Sequence, residues 1–167
     1  MSTGTLSMAN QDRSALSRYM LAGAATGVSD AIFATVFNAV RTGSLDLLRV
    51  WQGVASVLIG KSALTGGASS ALLGLAMHFC VAYFWTAVFL VLIRQSHWLR
   101  GIIDSRLGAL KVASVLGPVI WLIMDLVVIP ALVHRPPVIA LPFYLMGIGH
   151  IFFVGLPITS IIGNGSK

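Results

Sequence analysis

Four ionisable side chains stand inside long apolar stretches of this sequence: Asp30, His78, Asp125 and His150. A charge at the centre of a membrane helix costs ~2.5–3.5 kcal/mol on insertion scales, so such groups turn toward protein or water. Carboxylates and imidazoles together suit a proton or cation path, in which the groups change protonation in turn. They equally suit fixed pairs that set helix register, either as ion pairs or with a neutral aspartic acid. His78 and His150, from facing helices, could also ligate a haem or metal. No HxxxH pair, CxxCH or Glu-rich helix accompanies them, and the single cysteine, Cys80, lies two positions from His78 on another helix face. The expectation is therefore no metal and no cofactor.

The elements that carry these residues follow from composition. Of the 167 residues, 57% are hydrophobic and only 10% charged, with a mean hydropathy of +0.91. A soluble domain averages ~45–50% apolar and ~25% charged, so lipid must replace the missing polar coat. A ~30 Å hydrocarbon core needs roughly 20 mostly apolar residues per helix. Stretches of that length run over about 19–40, 71–93, 112–133 and 138–162, flanked by a polar tail over 1–18 and a short tail over 164–167. The first stretch is too long for a signal-peptide core and contains Asp30. Between the first two spans, Leu47, Leu48, Trp51, Val54, Ala55 and Leu58 recur at helical spacing, which predicts an amphipathic helix over about 44–60. It is too short and polar to span, so it is expected at the interface or capping the bundle mouth, with Trp51 at headgroup depth. The fold class is all-α: a four-transmembrane-helix bundle with an additional interfacial helix.

At 100° per residue Asp30 shares a face with Gly23, Gly27 and Ala34, and Gly23-x-x-x-Gly27 is a spacing that lets helices approach closely. His78 shares its face with Ala71, Gly74, Ala82 and Trp85, Asp125 with Pro118, Trp121 and Ile129, and His150 with Met146, Val154 and Pro157. The order Asp, His, Asp, His hints at a duplicated two-helix unit whose halves share one orientation.

With both termini on one side, that side holds Arg13, Arg18, Arg94, Arg100, Arg106, Lys111 and Lys167, and the other holds Arg41, Arg49, Lys61 and Arg135. The bias predicts cytoplasmic termini. The net charge of +6 belongs beside anionic headgroups, since the cations are scattered among apolar spans rather than gathered with aromatics into a nucleic-acid face. The partner this implies is the lipid bilayer, with a second copy or another membrane protein left open. No G-x-S-x-G, H-E-x-x-H or phosphate-loop motif is present; Gly60-Lys61-Ser62 imitates the end of a phosphate loop, but position 55 is Ala. His97 and His134 fall in charged or proline-rich connections. No enzymatic activity is expected.

The run Gly27-Val28-Ser29-Asp30-Ala31, the connector from Ala55 to Gly67, the word Gly74-Leu75-Ala76-Met77-His78-Phe79 and the closing segment His150 to Pro157 together resemble a group of small bacterial inner-membrane proteins. That resemblance covers nearly the whole chain and implies a multi-pass protein of a bacterial inner membrane; it brings no activity and no site. The leading expectation is a non-enzymatic accessory or structural membrane component. The alternatives are a small proton- or cation-coupled transporter using Asp30, His78, Asp125 and His150, and a His-ligated haem or metal protein.

Overall fold

A computed structural model gives the structure of residues 3–163, with side chains described from Ser14 onward. Residues 164–167 and the side chains of Arg13 and Lys167 lie outside what it describes. Most of the described residues are helical, and four helical stretches are long and apolar enough to cross a membrane: Ser14–Thr42, Gly67–Gln95, Gly108–Val133 and Leu141–Gly163. This is a multi-pass membrane protein with an all-α fold.

Helix α1 (Thr3–Thr42) contains the first span, so the tail read over 1–18 is helical from Thr3. It stops at Gly43, whose φ of 71° is open to glycine at little cost, and the Gly43 N–H returns to the Ala39 carbonyl at 2.8 Å. Asp46 then caps α2 (Leu47–Ile59), accepting from the Arg49 backbone N–H at 2.9 Å. A tight 3-10 turn, Gly60–Thr65, leads into the second span, α3 (Gly67–Gln95). Ser96 caps the short α4 (His97–Ile103) by accepting from the Leu99 N–H.

The third and fourth spans are each broken by a π-helical segment. In the third, α5 (Gly108–Ile123) passes through Met124–Val128 into α6 (Ile129–Val133). In the fourth, α7 (Leu141–His150) passes through Ile151–Gly155 into α8 (Leu156–Gly163). A proline follows each break, Pro130 and Pro157. Proline has no N–H to offer the turn before it, and in hydrocarbon a freed carbonyl must find another donor. At Pro157 a donor is within reach: the Ser29 hydroxyl on α1 lies 2.6 Å from the Phe153 carbonyl and 2.7 Å from the Ala25 carbonyl of its own helix, and its one proton serves one of them at a time.

Span one packs between spans two and four, and span three packs outside span four. Glycines set these contacts. Gly23 and Gly27 receive the rings of Tyr83 and Phe79 from α3 rather than a helix backbone, and Gly149 receives the ring of Phe33. Backbone itself meets Gly117, which lies under the His150 carbonyl, and Gly74, which lies under the α2 backbone at Trp51 and Ala55. The end of the bundle at which α1 closes and α3 begins is called the upper end below. There α2 reaches from Ala34, Phe37 and Asn38 of α1 to Leu132 and Val133 of α6, crossing α3 at Gly74. It covers the bundle mouth, and Trp51 turns its ring onto His78 with the centroids 5.2 Å apart. The apolar core of Ala22, Phe89, Ile93, Ile103, Val112, Ile120, Val154, Ile158 and Ile162 occupies the lower part of the bundle.

Candidate functional site: a carboxylate shared by two imidazoles

Asp30 lies midway along the first span and is approached from two sides. His78 Nδ1, from α3, is 3.9 Å from Asp30 Oδ2, and His150 Nε2, from the end of α7, is 4.0 Å from Asp30 Oδ1. The side chains are 10–17% exposed, so the cluster lies within the bundle rather than on its lipid face. Each imidazole is fixed through its other nitrogen. His78 Nε2 sits 2.9 Å from the Gly27 carbonyl of α1, and His150 Nδ1 sits 2.8 Å from the Met146 carbonyl one turn back in its own helix.

These two contacts assign the protons. A carbonyl oxygen can only accept, so His78 carries a proton on Nε2 and His150 carries one on Nδ1. The nitrogens that face Asp30 are then the bare ones whenever the rings are neutral. A carboxylate and two nitrogen lone pairs converge with no proton among them, at separations beyond direct hydrogen-bond range. Adding a single proton to any of the three turns mutual repulsion into attraction. Asp30 Oδ1 is buried and without a hydrogen-bond partner, which is what such a proton-poor arrangement leaves behind.

Indole rings flank both histidines. Trp51 lies against His78, and Trp121 lies against His150 with centroids 4.7 Å apart. Both ring pairs are tilted, at 59° and 46°, so the indoles wall the imidazoles in on that side. Phe33, stacked on Phe153 at 4.6 Å, presents its ring to His150 and seats the fourth span against α1 next to Asp30. The Gly117 seat under the His150 carbonyl fixes the height of that histidine relative to span three.

Above the cluster a groove of about 430 Å³ opens at the upper end, lined by Ala34, Asn38, Arg41, Arg49 and Met146 among others. Ala34 and Met146 are one helical turn from Asp30 and His150, so the groove ends directly over the cluster. Arg41 donates to the Asn38 side chain and Arg49 to the Leu64 carbonyl, which holds both guanidinium groups at the rim. On the opposite side of Asp30 lie buried Thr26 and Ala22, and beyond them the apolar core.

Three of the four residues singled out from sequence thus meet, and Asp125 does not join them. It falls within the π-helical segment Met124–Val128, where α-helical spacing no longer gives its direction. Among the described residues it makes no ion pair, and its Oδ2 is buried without a hydrogen-bond partner. The expectation of two equivalent Asp–His units gives way to one aspartate serving both histidines. Sequence reading also passed over Ser29 and Trp51 as neighbours of the site, and placed Trp121 beside Asp125 rather than His150. Ser29 adjoins Asp30 and could be suspected from its hydroxyl at membrane depth, whereas the tertiary role of the two tryptophans has no local signal.

Among the described residues no group of three His, Cys, Asp or Glu is placed to hold a metal ion, and Cys80 is exposed and unpaired. No family model, curated protein or solved structure matches the chain, so the meaning of the site rests on its own geometry.

Proposed function

We propose that this membrane protein is a small transporter that passes protons across the bilayer, in which Asp30, His78 and His150 take up and release one proton per cycle. The observation that carries the reading is the pair of carbonyl-fixed imidazoles, whose free nitrogens both face one carboxylate from about 4 Å. A purely structural ion pair gains from closing to hydrogen-bond distance; this cluster stays open and keeps Asp30 Oδ1 unpartnered. The groove over Ala34 and Met146 supplies access from the upper end, and the apolar core below supplies the barrier that alternating access requires. A bacterial inner membrane with cytoplasmic termini, as the cation bias favours, would put that groove on the periplasmic side.

The test is proton movement into sealed vesicles holding the purified protein and a trapped pH-sensitive dye, driven by an imposed membrane potential. Wild type acidifies the lumen, whereas Asp30→Asn, with the same helical content, does so at least about tenfold more slowly. Equal rates in the two proteins would overturn the reading.

A second reading, a non-enzymatic accessory or structural component, draws on the backbone seat of His150 on Gly117 and on the carbonyl bonds that hold both histidines. On that reading Asp30→Asn alters melting temperature or assembly and leaves vesicle pH unmoved in both proteins.

A further inference from the structure

The lower end of the bundle holds a second polar feature that the proton cluster does not use. Arg18 from α1, Arg94 from the last turn of α3 and Arg100 from α4 line one cleft of about 260 Å³, together with Ala15, Leu90 and Ile162. No acidic side chain lines it, and no salt bridge among the described residues reaches any of the three arginines. Arg100 is held by a 3.1 Å contact with His97 Nδ1, which directs its guanidinium without neutralising it. Like charges gathered from three separate helices repel one another unless an anion sits among them, and a planar guanidinium matches the oxygens of a phosphate in paired hydrogen bonds.

The cleft does not end at the arginines. A groove sharing Ala15, Leu90 and Arg94 continues along α1 and α3 past Leu16 and Tyr19. The first span begins at Ser14 and the second ends at Gln95, so Arg18 and Arg94 lie at the lower ends of their spans, the level of anionic headgroups, and Tyr19 and Leu90 stand on the hydrocarbon side of them. Leu16, 60% exposed, stands on the outer side of Arg18. A free phosphate would use the arginines and leave the groove unexplained. A phospholipid uses both.

We propose that this cleft is a binding site for one anionic phospholipid, with the headgroup phosphate on Arg18, Arg94 and Arg100 and the start of an acyl chain along Tyr19 and Leu90. The site is independent of the proton cluster, which lies in the opposite half of the bundle. Its test is native mass spectrometry of the detergent-purified protein offered phosphatidylglycerol and phosphatidylcholine with the same acyl chains. Wild type retains one phosphatidylglycerol with about a tenfold preference. The triple variant R18Q/R94Q/R100Q loses that preference, and K61Q/R135Q, which removes two cations lining an upper-end cleft, keeps it. If the triple variant fails to fold, R100Q alone, with helical content unchanged, lowers the preference about threefold. Equal retention of the two lipids by wild type, equal loss in K61Q/R135Q, or full displacement of phosphatidylglycerol by millimolar inorganic phosphate would each overturn the proposal.

Discussion

Asp30 and Asp125 are the same residue, each inside an apolar span, yet the fold treats them in opposite ways. Asp30 stands in an unbroken α-helix, and two imidazoles from two other spans are turned onto it. Asp125 stands in a π-helical segment, with one oxygen buried and no ion pair among the described residues. An acid inside a span is thus not a site by virtue of its type; what makes one is the set of groups that other helices bring to it. The difference traces to backbone. On α1, Gly27 admits the Phe79 ring at the His78 contact and Gly23 admits the Tyr83 ring one turn below it, which brings α3 close. The turn around Asp125 is widened, so its carboxylate leaves the α-helical row it shares with Trp121 in sequence.

Substitutions separate the two aspartates by the size of their effects. The largest effect is expected from Gly117→Leu, because a side chain there meets the His150 carbonyl, which is backbone and cannot swing aside. Loss of about 3 kcal/mol or more should appear as a sharp fall in melting temperature in detergent. Next comes Asp30→Asn set against Asp125→Asn in the vesicle assay: the first should slow proton entry at least about tenfold, the second by less than about twofold. Comparable losses from both would erase the distinction drawn here. His78→Gln and His150→Gln should each weaken flux less than Asp30→Asn, since one imidazole remains opposite the carboxylate. Pro157→Ala restores an N–H that competes with Ser29 for the Phe153 carbonyl, and the double variant with Ser29→Ala should be milder than Ser29→Ala alone. Each difference should be within about 1 kcal/mol by chemical denaturation. The smallest effect is on the stability of Asp125→Asn, expected within about 0.5 kcal/mol of wild type.

Much of this architecture was legible in the residues. The apolar stretches and the charges that bracket them mark the spans, because hydrocarbon thickness sets their length and scarcity of charge marks their depth. The helical spacing of Leu47, Trp51 and Leu58 marks α2, whose observed range is Leu47–Ile59. Periodicity also aims Asp30 along the row of Gly23 and Gly27. It could not say that His78 and His150 would share that one aspartate, because the meeting depends on span four packing against span one rather than on any repeat within the chain. Nor could it place Trp51: a tryptophan on a short amphipathic helix has the same local pattern whether it rests among headgroups or reaches a buried imidazole. Asp125 escaped because α-helical phase was carried through a segment whose hydrogen bonds skip one residue further.

The bond from Ser29 to the Phe153 carbonyl also constrains descent. Pro157 removes the α-helical donor to that carbonyl, and the hydroxyl within reach of it, shared with the Ala25 carbonyl, sits 124 residues earlier in the chain. A lineage acquiring the proline before the serine would pass through a protein with an orphaned carbonyl in lipid, whereas serine first is nearly harmless. The easier history is therefore ordered, and a chain of this kind that keeps a proline at 157 should keep a hydroxyl at 29.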